Sequence, residues 1–131
     1  MPEKKKILVV EDEKPLRRVL AKKLTIEGFS VSEAAEGKSG LEMALREHPD
    51  LILLDVIMPK MGGKEVLAEL QKDSWGKSVP IIFLTNLSDP VKIAEISESS
   101  SRHATVFDYL IKSDWKLEEV VEKVRSNLGM K

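Results

Sequence analysis

Three runs of four consecutive apolar residues constrain this chain more than any other feature. They are Ile7-Leu8-Val9-Val10, Leu51-Ile52-Leu53-Leu54 and Ile81-Ile82-Phe83-Leu84. A strand with one wet face alternates apolar and polar residues, so a run without a polar position suits a strand covered on both faces. Between the runs lie stretches of helical period. Leu16, Val19, Leu20 and Leu24 share one helix face behind Pro15, which is tolerated near a helix start, and Gly28 ends that helix. Residues 31–35 form a weaker second strand. Gly37 opens a helix carrying Leu41, Ala44 and Leu45, closed before Pro49. Residues 55–63 are a loop holding Pro59, Gly62 and Gly63, and Val66, Leu67 and Leu70 mark a third helix. A mostly polar loop spans 73–78. Asp89 and Pro90 cap and open a fourth helix, whose later part, 97–101, is serine-rich. Residues 106–111 are a fifth strand, and Leu117, Val120, Val121, Val124 and Leu128 line one face of a last helix.

Five strand–helix units in this order imply an α/β fold with a parallel sheet and helices on both faces. Five units favour the flavodoxin-like, doubly wound (βα)5 sandwich with strand order 2-1-3-4-5, whose ligand site lies at the carboxyl ends of the strands. The 131 residues fit one domain, with no output domain expected after the fifth helix. Charge is nearly balanced, 21 basic against 22 acidic residues, which does not point to direct nucleic-acid binding. The chain has no cysteine, so disulfides and thiolate metal sites are excluded. The apolar run behind the charged residues 1–6 is too short for a signal peptide or a membrane span. A soluble, cytoplasmic protein without membrane insertion is the expectation.

The strand-end rule then selects the chemistry. Past strand 1 come Glu11 and Asp12; past strand 3, Asp55; past strand 4, Thr85; at the end of strand 5, Lys112. In the order 2-1-3-4-5 these ends are close, so three carboxylates, a hydroxyl and an amine share one crevice. Three close carboxylates repel one another and call for a cation. Oxygen ligands without His or Cys suit Mg²⁺, which keeps several waters and accepts phosphate oxygens. Formal charges balance: −3 on Glu11, Asp12 and Asp55 against +3 on Mg²⁺ and Lys112. A carboxylate can act as a nucleophile toward phosphorus, and phosphoryl transfer needs mainly positioning and charge stabilisation. In this reading Asp55 is the phosphoacceptor. Asp12 holds the metal, Glu11 assists directly or through water, and the backbone carbonyl of Ile57 completes the shell. Lys112 pairs with a phosphoryl oxygen and Thr85 donates its hydroxyl to another.

Four segments carry a resemblance. They are Ile7-Leu8-Val9-Val10-Glu11-Asp12-Glu13, Leu54-Asp55-Val56-Ile57-Met58-Pro59-Lys60-Met61-Gly62-Gly63, Phe83-Leu84-Thr85 and Asp108-Tyr109-Leu110-Ile111-Lys112. In order and spacing they resemble the response-regulator receiver family of two-component signalling, across essentially the whole chain. The resemblance implies a CheY-like single-domain phosphoprotein that is not an enzyme beyond its own phosphorylation and dephosphorylation. It implies a histidine kinase or histidine phosphotransfer protein as phosphohistidine donor, Tyr109 as an aromatic switch moving with Thr85, and a signalling face made of helix 4, strand 5 and helix 5. A downstream protein partner would bind that face. Three places depart from the family. Ser113 follows Lys112 where proline behind a cis peptide is usual, and a cis bond before serine would cost about 2.5–4 kcal/mol. Asn86 follows Thr85 where a small residue is usual. Residues 99–105 are polar and lack the usual Gly-Ala. Ile57 and Leu87 put apolar side chains beside the site, where they would shield an aspartyl-phosphate from water.

Plainer readings compete with each assignment. Glu11-Asp12-Glu13 is also what a charged helix start looks like. Asp55 could be a turn former, yet a carboxylate directly behind four buried apolar residues is costly unless it is used or paired. Thr85 alone is a common β-former, Lys112 alone a surface lysine, and Tyr109 alone a core residue. His48 and His103 are isolated and superficial, and Trp75 and Trp115 are packing residues. Lys4-Lys5-Lys6 is a solvated terminus. An aspartate-nucleophile phosphatase would usually carry a second aspartate two residues past the nucleophile, where this chain has Ile57. A flavin-binding flavodoxin would need a Ser/Thr/Gly phosphate cradle after strand 1, where this chain has Glu-Asp-Glu. A degenerate receiver acting as a phosphorylation-independent binding module is the remaining alternative.

Overall fold

The computed structural model describes residues 4–85, 106–111 and 116–130, with residues 85 and 106–111 as backbone. Five strands, β1 (Lys6–Val10), β2 (Ser30–Ala34), β3 (Leu51–Asp55), β4 (Ile81–Thr85) and β5 (Val106–Ile111), form one sheet of order β2-β1-β3-β4-β5. All four pairings are parallel. The doubly wound order expected from the apolar runs is therefore the observed one. Helices α1 (Lys14–Ile26), α2 (Gly37–Glu47) and α3 (Gly63–Leu70) and a C-terminal helix (Leu117–Asn127) cover the sheet.

The apolar runs serve two cores at once because successive strand residues point to opposite faces. Leu8, Val10, Ile52, Leu54, Ile81 and Phe83 face α2 and α3, packing with Ala44, Val66, Leu67 and Leu70. Ile7, Val9, Leu51, Leu53, Ile82 and Leu84 face α1 and the C-terminal helix, packing with Leu20, Leu24, Val120, Val121 and Val124. Each run thus contributes to both layers, which is why no polar residue interrupts it. Edge strand β2 has only one neighbour, and its pattern of exposed and half-buried residues explains its weaker signal.

Helix ends follow their local chemistry. Gly28 takes φ +101° just past α1, as a left-handed terminator does, and the Phe29 amide returns to the Leu24 carbonyl at 3.0 Å. At the end of α2 the left-handed residue is His48, with φ 51°, followed by buried Pro49.

Several details differ from the sequence-based expectation. Val19 and Leu45, assigned to buried helix faces, are exposed, whereas the small residues Ala21 and Gly40 are buried in those helices, Gly40 against Val10 of β1. The spacing of large apolar residues misleads in α2 because Gly40 allows close helix–sheet approach. Residues 76–78 of the expected loop form a short 3-10 helix, Gly76–Ser78. It is set up by Asp73, whose carboxylate accepts the Trp75 and Gly76 amides at 2.9 and 2.7 Å. Asp55 and Thr85 belong to the last positions of β3 and β4 rather than to the loops behind them, because parallel pairing runs on to Asp55 opposite Leu84 and Thr85 opposite Ile111. The fourth helix expected after Asp89, the serine stretch 97–101, and Asn86, Leu87, His103, Lys112, Ser113 and Trp115 lie outside the described residues.

Candidate functional site

The register of β1 on β3 sets Val10 beside Leu54, so the next residues, Glu11 and Asp55, leave the core at neighbouring points. Glu11, Asp12 and Asp55 each offer one carboxylate oxygen, and these three atoms lie within 4.8 Å of one another. Burial divides them. Glu11 is fully buried and Asp55 is 3% exposed, whereas Asp12 faces solvent. Oε1 of Glu11 and Oδ2 of Asp55 are sealed from water by the fold. Two unit charges 4.8 Å apart repel by about 3 kcal/mol at an effective dielectric constant of ~20. The arrangement therefore favours a cation among the three carboxylates.

Backbone contacts hold this geometry. The Glu11 amide donates to the Ala34 carbonyl at 3.0 Å, tying the end of β1 to the end of β2. Oε2 of Glu11 accepts the Glu13 amide at 3.0 Å, and the Glu11 carbonyl accepts Nη1 of Arg17 at 3.0 Å. On the other side, the Val56 amide donates to the Leu84 carbonyl at 3.0 Å, and the Gly63 amide to the Val56 carbonyl at 2.9 Å. The loop from β3 to α3 therefore folds back on the strand that carries Asp55. Its turn centres on Lys60, at φ 68°, with the Met61 amide donating to the Pro59 carbonyl at 2.8 Å.

Ile57 follows Asp55 in that loop. Its amide lies 3.4 Å from Oδ1 of Asp55, and the residue is 60% exposed. A cleft of about 210 Å³ opens beside Asp12, the exposed member of the cluster, lined also by Ala35, Glu36, Pro59 and Lys60. Thr85 and Tyr109 are placed on the backbone only. Thr85 ends β4, next to the strand of Asp55, and Tyr109 sits in β5 opposite Phe83. Lys112 lies outside the described residues. The structure thus brings together the three carboxylates, with the Ile57 amide near Asp55.

Reading of the sequence missed two residues that shape the site, Arg17 and Glu33. Nε of Arg17 pairs with Oε1 of Glu33 at 3.3 Å, and Nη1 of Arg18 with Oε2 of Glu33 at 3.0 Å. Nothing in the sequence separates these charges from ordinary helix-surface charges. His48 also differs from expectation. It is exposed but not isolated, since its ring stacks on Trp75 with centroids 4.3 Å apart and planes 8° from parallel.

The donor set fits a hard divalent cation. It is all carboxylate oxygen, with two members fixed in the fold and one open to solvent, as suits an ion that retains waters. Among the described residues no helix is long and apolar enough to cross a membrane.

Comparison with known proteins agrees with the geometry. The response regulator receiver domain profile matches residues 7–125. The chain is 49% identical over 87 residues to the "Probable transcriptional regulator ycf27" of Porphyridium aerugineum, covering 66% of this chain and 35% of that protein. It is 36% identical over 124 residues to "Response regulator MprA" of Mycobacterium leprae, covering 94% of this chain and 50% of that protein. The chain therefore spans between a third and a half of the length of these curated relatives. Among solved structures, the chemotaxis protein CheY4 of Vibrio cholerae superposes with a TM-score of 0.82 at 27% identity, covering 95% of this chain and 98% of that one. With its five-stranded parallel sheet, its acidic strand-end cluster and a profile match over nearly its whole length, this chain belongs to the response regulator receiver domain family of two-component systems.

Proposed function

We propose that residues 1–131 act as a phosphorylation switch whose acceptor is Asp55. The observation that carries this reading is the convergence of Glu11, Asp12 and Asp55 oxygens within 4.8 Å at the carboxyl ends of β1 and β3. A carboxylate oxygen of Asp55 forms a bond to phosphorus while the P–N bond of a phosphohistidine donor breaks. The bond's electron pair leaves on the imidazole nitrogen of the donor, a histidine kinase or histidine phosphotransfer protein. Asp12 and Glu11, with Asp55 and the Ile57 carbonyl, are the residues that would hold Mg²⁺. The ion supplies positive charge against the phosphoryl oxygens. Lys112 pairs with one of those oxygens and the Thr85 hydroxyl donates to another. Burial of Asp55 limits the directions from which a donor can approach and restricts water around the acyl phosphate.

The output is a population shift. Thr85 moves toward the phosphorylated Asp55, Tyr109 follows, and the face that includes β5 and the C-terminal helix changes its affinity for a downstream protein. The family supports a cytoplasmic setting.

Incubation with magnesium and a small phosphodonor, followed by intact-mass measurement, tests the acceptor. Wild type gains one phosphoryl adduct and Asp55→Asn gains none. An adduct that persists in Asp55→Asn places the acceptor elsewhere. The lack of any adduct on wild type favours a binding module that works without phosphorylation.

A further inference from the structure

The loop from β1 to α1 carries two of the three clustered carboxylates, and its middle peptide joins them. The carbonyl of Glu11 and the amide of Asp12 are one rigid plane. Whatever fixes that carbonyl also sets the direction in which Asp12 leaves the chain. Glu11 itself is tied at its amide, by the Ala34 carbonyl, and at its side chain, by the Glu13 amide. Asp12 is exposed and does not have the same burial to orient it.

Arg17 grips the shared peptide. Nη1 donates to the Glu11 carbonyl at 3.0 Å, and Nε donates to Oε1 of Glu33 at 3.3 Å. The side chain is only 13% exposed, unlike neighbouring Arg18 at 68%. Glu33 stands on β2, the strand whose Ala34 carbonyl receives the Glu11 amide. One planar guanidinium therefore spans from the rigid edge of the sheet to the peptide between the acidic residues. A planar fork can hold two acceptors at a fixed angle, which a single ammonium cannot reproduce.

We propose that Arg17, anchored by Glu33, is a positioning residue for divalent-cation binding: it fixes the Glu11–Asp12 peptide so that Asp12 faces Asp55. This rests on the reading that the acidic cluster holds a cation. The sign of the effect separates positioning from simple electrostatics. Arg17 is a cation, so if it acted only through charge, its removal would strengthen binding of a second cation. Acting through geometry, its removal weakens binding.

The test is Mn²⁺ binding followed by electron paramagnetic resonance on the whole chain, with Mg²⁺ as competitor, for wild type, Arg17→Met, Arg17→Lys, Glu33→Gln and Arg17→Met/Glu33→Gln. Methionine keeps the alkyl packing of the arginine stem. Arg17→Met is expected to weaken Mn²⁺ affinity by about tenfold, within the range that loss of a ligand-orienting partner costs. Arg17→Lys recovers part of the loss, and Glu33→Gln shows a smaller one. The double variant binds no more weakly than Arg17→Met alone, because Glu33 acts through Arg17. Thermal melting of each variant without metal identifies any that fail to fold, and Arg17→Lys then carries the comparison. Unchanged or tighter Mn²⁺ binding by the folded Arg17 variants overturns the clamp while leaving the cation site standing. So does a double variant whose losses simply add. Wild type that shows no saturable Mn²⁺ binding, or binding indifferent to Asp12→Asn, overturns the cation reading and the clamp with it.

Discussion

Gly63 lies against the Asp55 carbonyl so closely that a β-carbon at position 63 would stand 2.5 Å from that oxygen. The contact is backbone to backbone, since the same residue's amide donates to the Val56 carbonyl. The first residue of α3 is thereby pressed on the end of β3, and the loop between them has little freedom. At the first position of α3, Gly63→Ala gains less than the ~1 kcal/mol of helix propensity that the same change brings in a helix interior. The overlap is with main chain that cannot rotate away, and overpacking of this kind costs about 1–3 kcal/mol. The expected result is a lower midpoint of urea unfolding and slower phosphorylation of Asp55 by a small phosphodonor. Equal midpoints for Gly63→Ala and wild type would show that β3 and α3 separate at little cost.

The acidic cluster makes opposite demands on stability with and without metal. Mutual repulsion among Glu11, Asp12 and Asp55 opposes folding in metal-free buffer. Asp12→Asn removes one negative charge from the exposed side of the cluster. Its metal-free stability is expected to rise, by less than about 1 kcal/mol given screening at an exposed group. Added Mg²⁺ at a hundredfold excess over its Kd stabilises wild type by about 2.7 kcal/mol and Asp12→Asn by far less. Denaturant melts with and without Mg²⁺ check both signs. A wild type indifferent to Mg²⁺ removes the cation from the site.

How much of this was legible in the sequence depended on distance along the chain. The apolar runs that begin at Ile7, Leu51 and Ile81 declare themselves because each residue in them is committed to one of two cores. Once those strands are placed, Glu11, Asp12 and Asp55 follow from the strand-end rule, even though Asp55 is 43 or more residues from the other two. Contacts made by side chains across elements had no such rule. Arg17 and Glu33 come from a helix and an edge strand, and each looks like a solvated surface charge until the fold sets them 3.3 Å apart. Val19 and Leu45 misled for the converse reason. Their hydrophobicity fits a helix face, but the smaller Ala21 and Gly40 are the ones buried.

The stack of His48 on Trp75 links two loops at the end of the sheet remote from Asp55. His48 ends α2 and Trp75 precedes the 3-10 helix that leads into β4. Removing the ring must be separated from disturbing a left-handed backbone, since His48 has φ 51°. His48→Asn keeps a residue that tolerates this conformation. It is expected to destabilise the protein by about 1 kcal/mol, the scale of an aromatic pair. Trp75 emission, read in a Trp115→Phe background, should shift to the red as the indole gains water. Wild-type stability and unshifted emission in His48→Asn would mean that the stack contributes nothing to holding the loops together.

Ile57 offers the most direct handle on how long a phosphoryl group stays on Asp55. Its amide lies 3.4 Å from Oδ1 of Asp55, while the residue as a whole is 60% exposed in the loop beside the acceptor. An exposed β-branched residue contributes little to the core, so Ile57→Asn should change stability by no more than about 0.5 kcal/mol. Its effect on chemistry is a separate matter. Hydrolysis of the acyl phosphate requires a water near phosphorus, and a sec-butyl group beside the site withholds partners from such a water. An amide side chain supplies hydrogen bonds to it. Ile57→Asn is therefore expected to shorten the lifetime of the phosphorylated protein severalfold, measured by loss of the intact-mass adduct after removal of the donor. Leu87, the other apolar side chain expected beside the site, provides a parallel variant. A lifetime in Ile57→Asn equal to or longer than that of wild type would show that water reaches phosphorus by a route Ile57 does not guard.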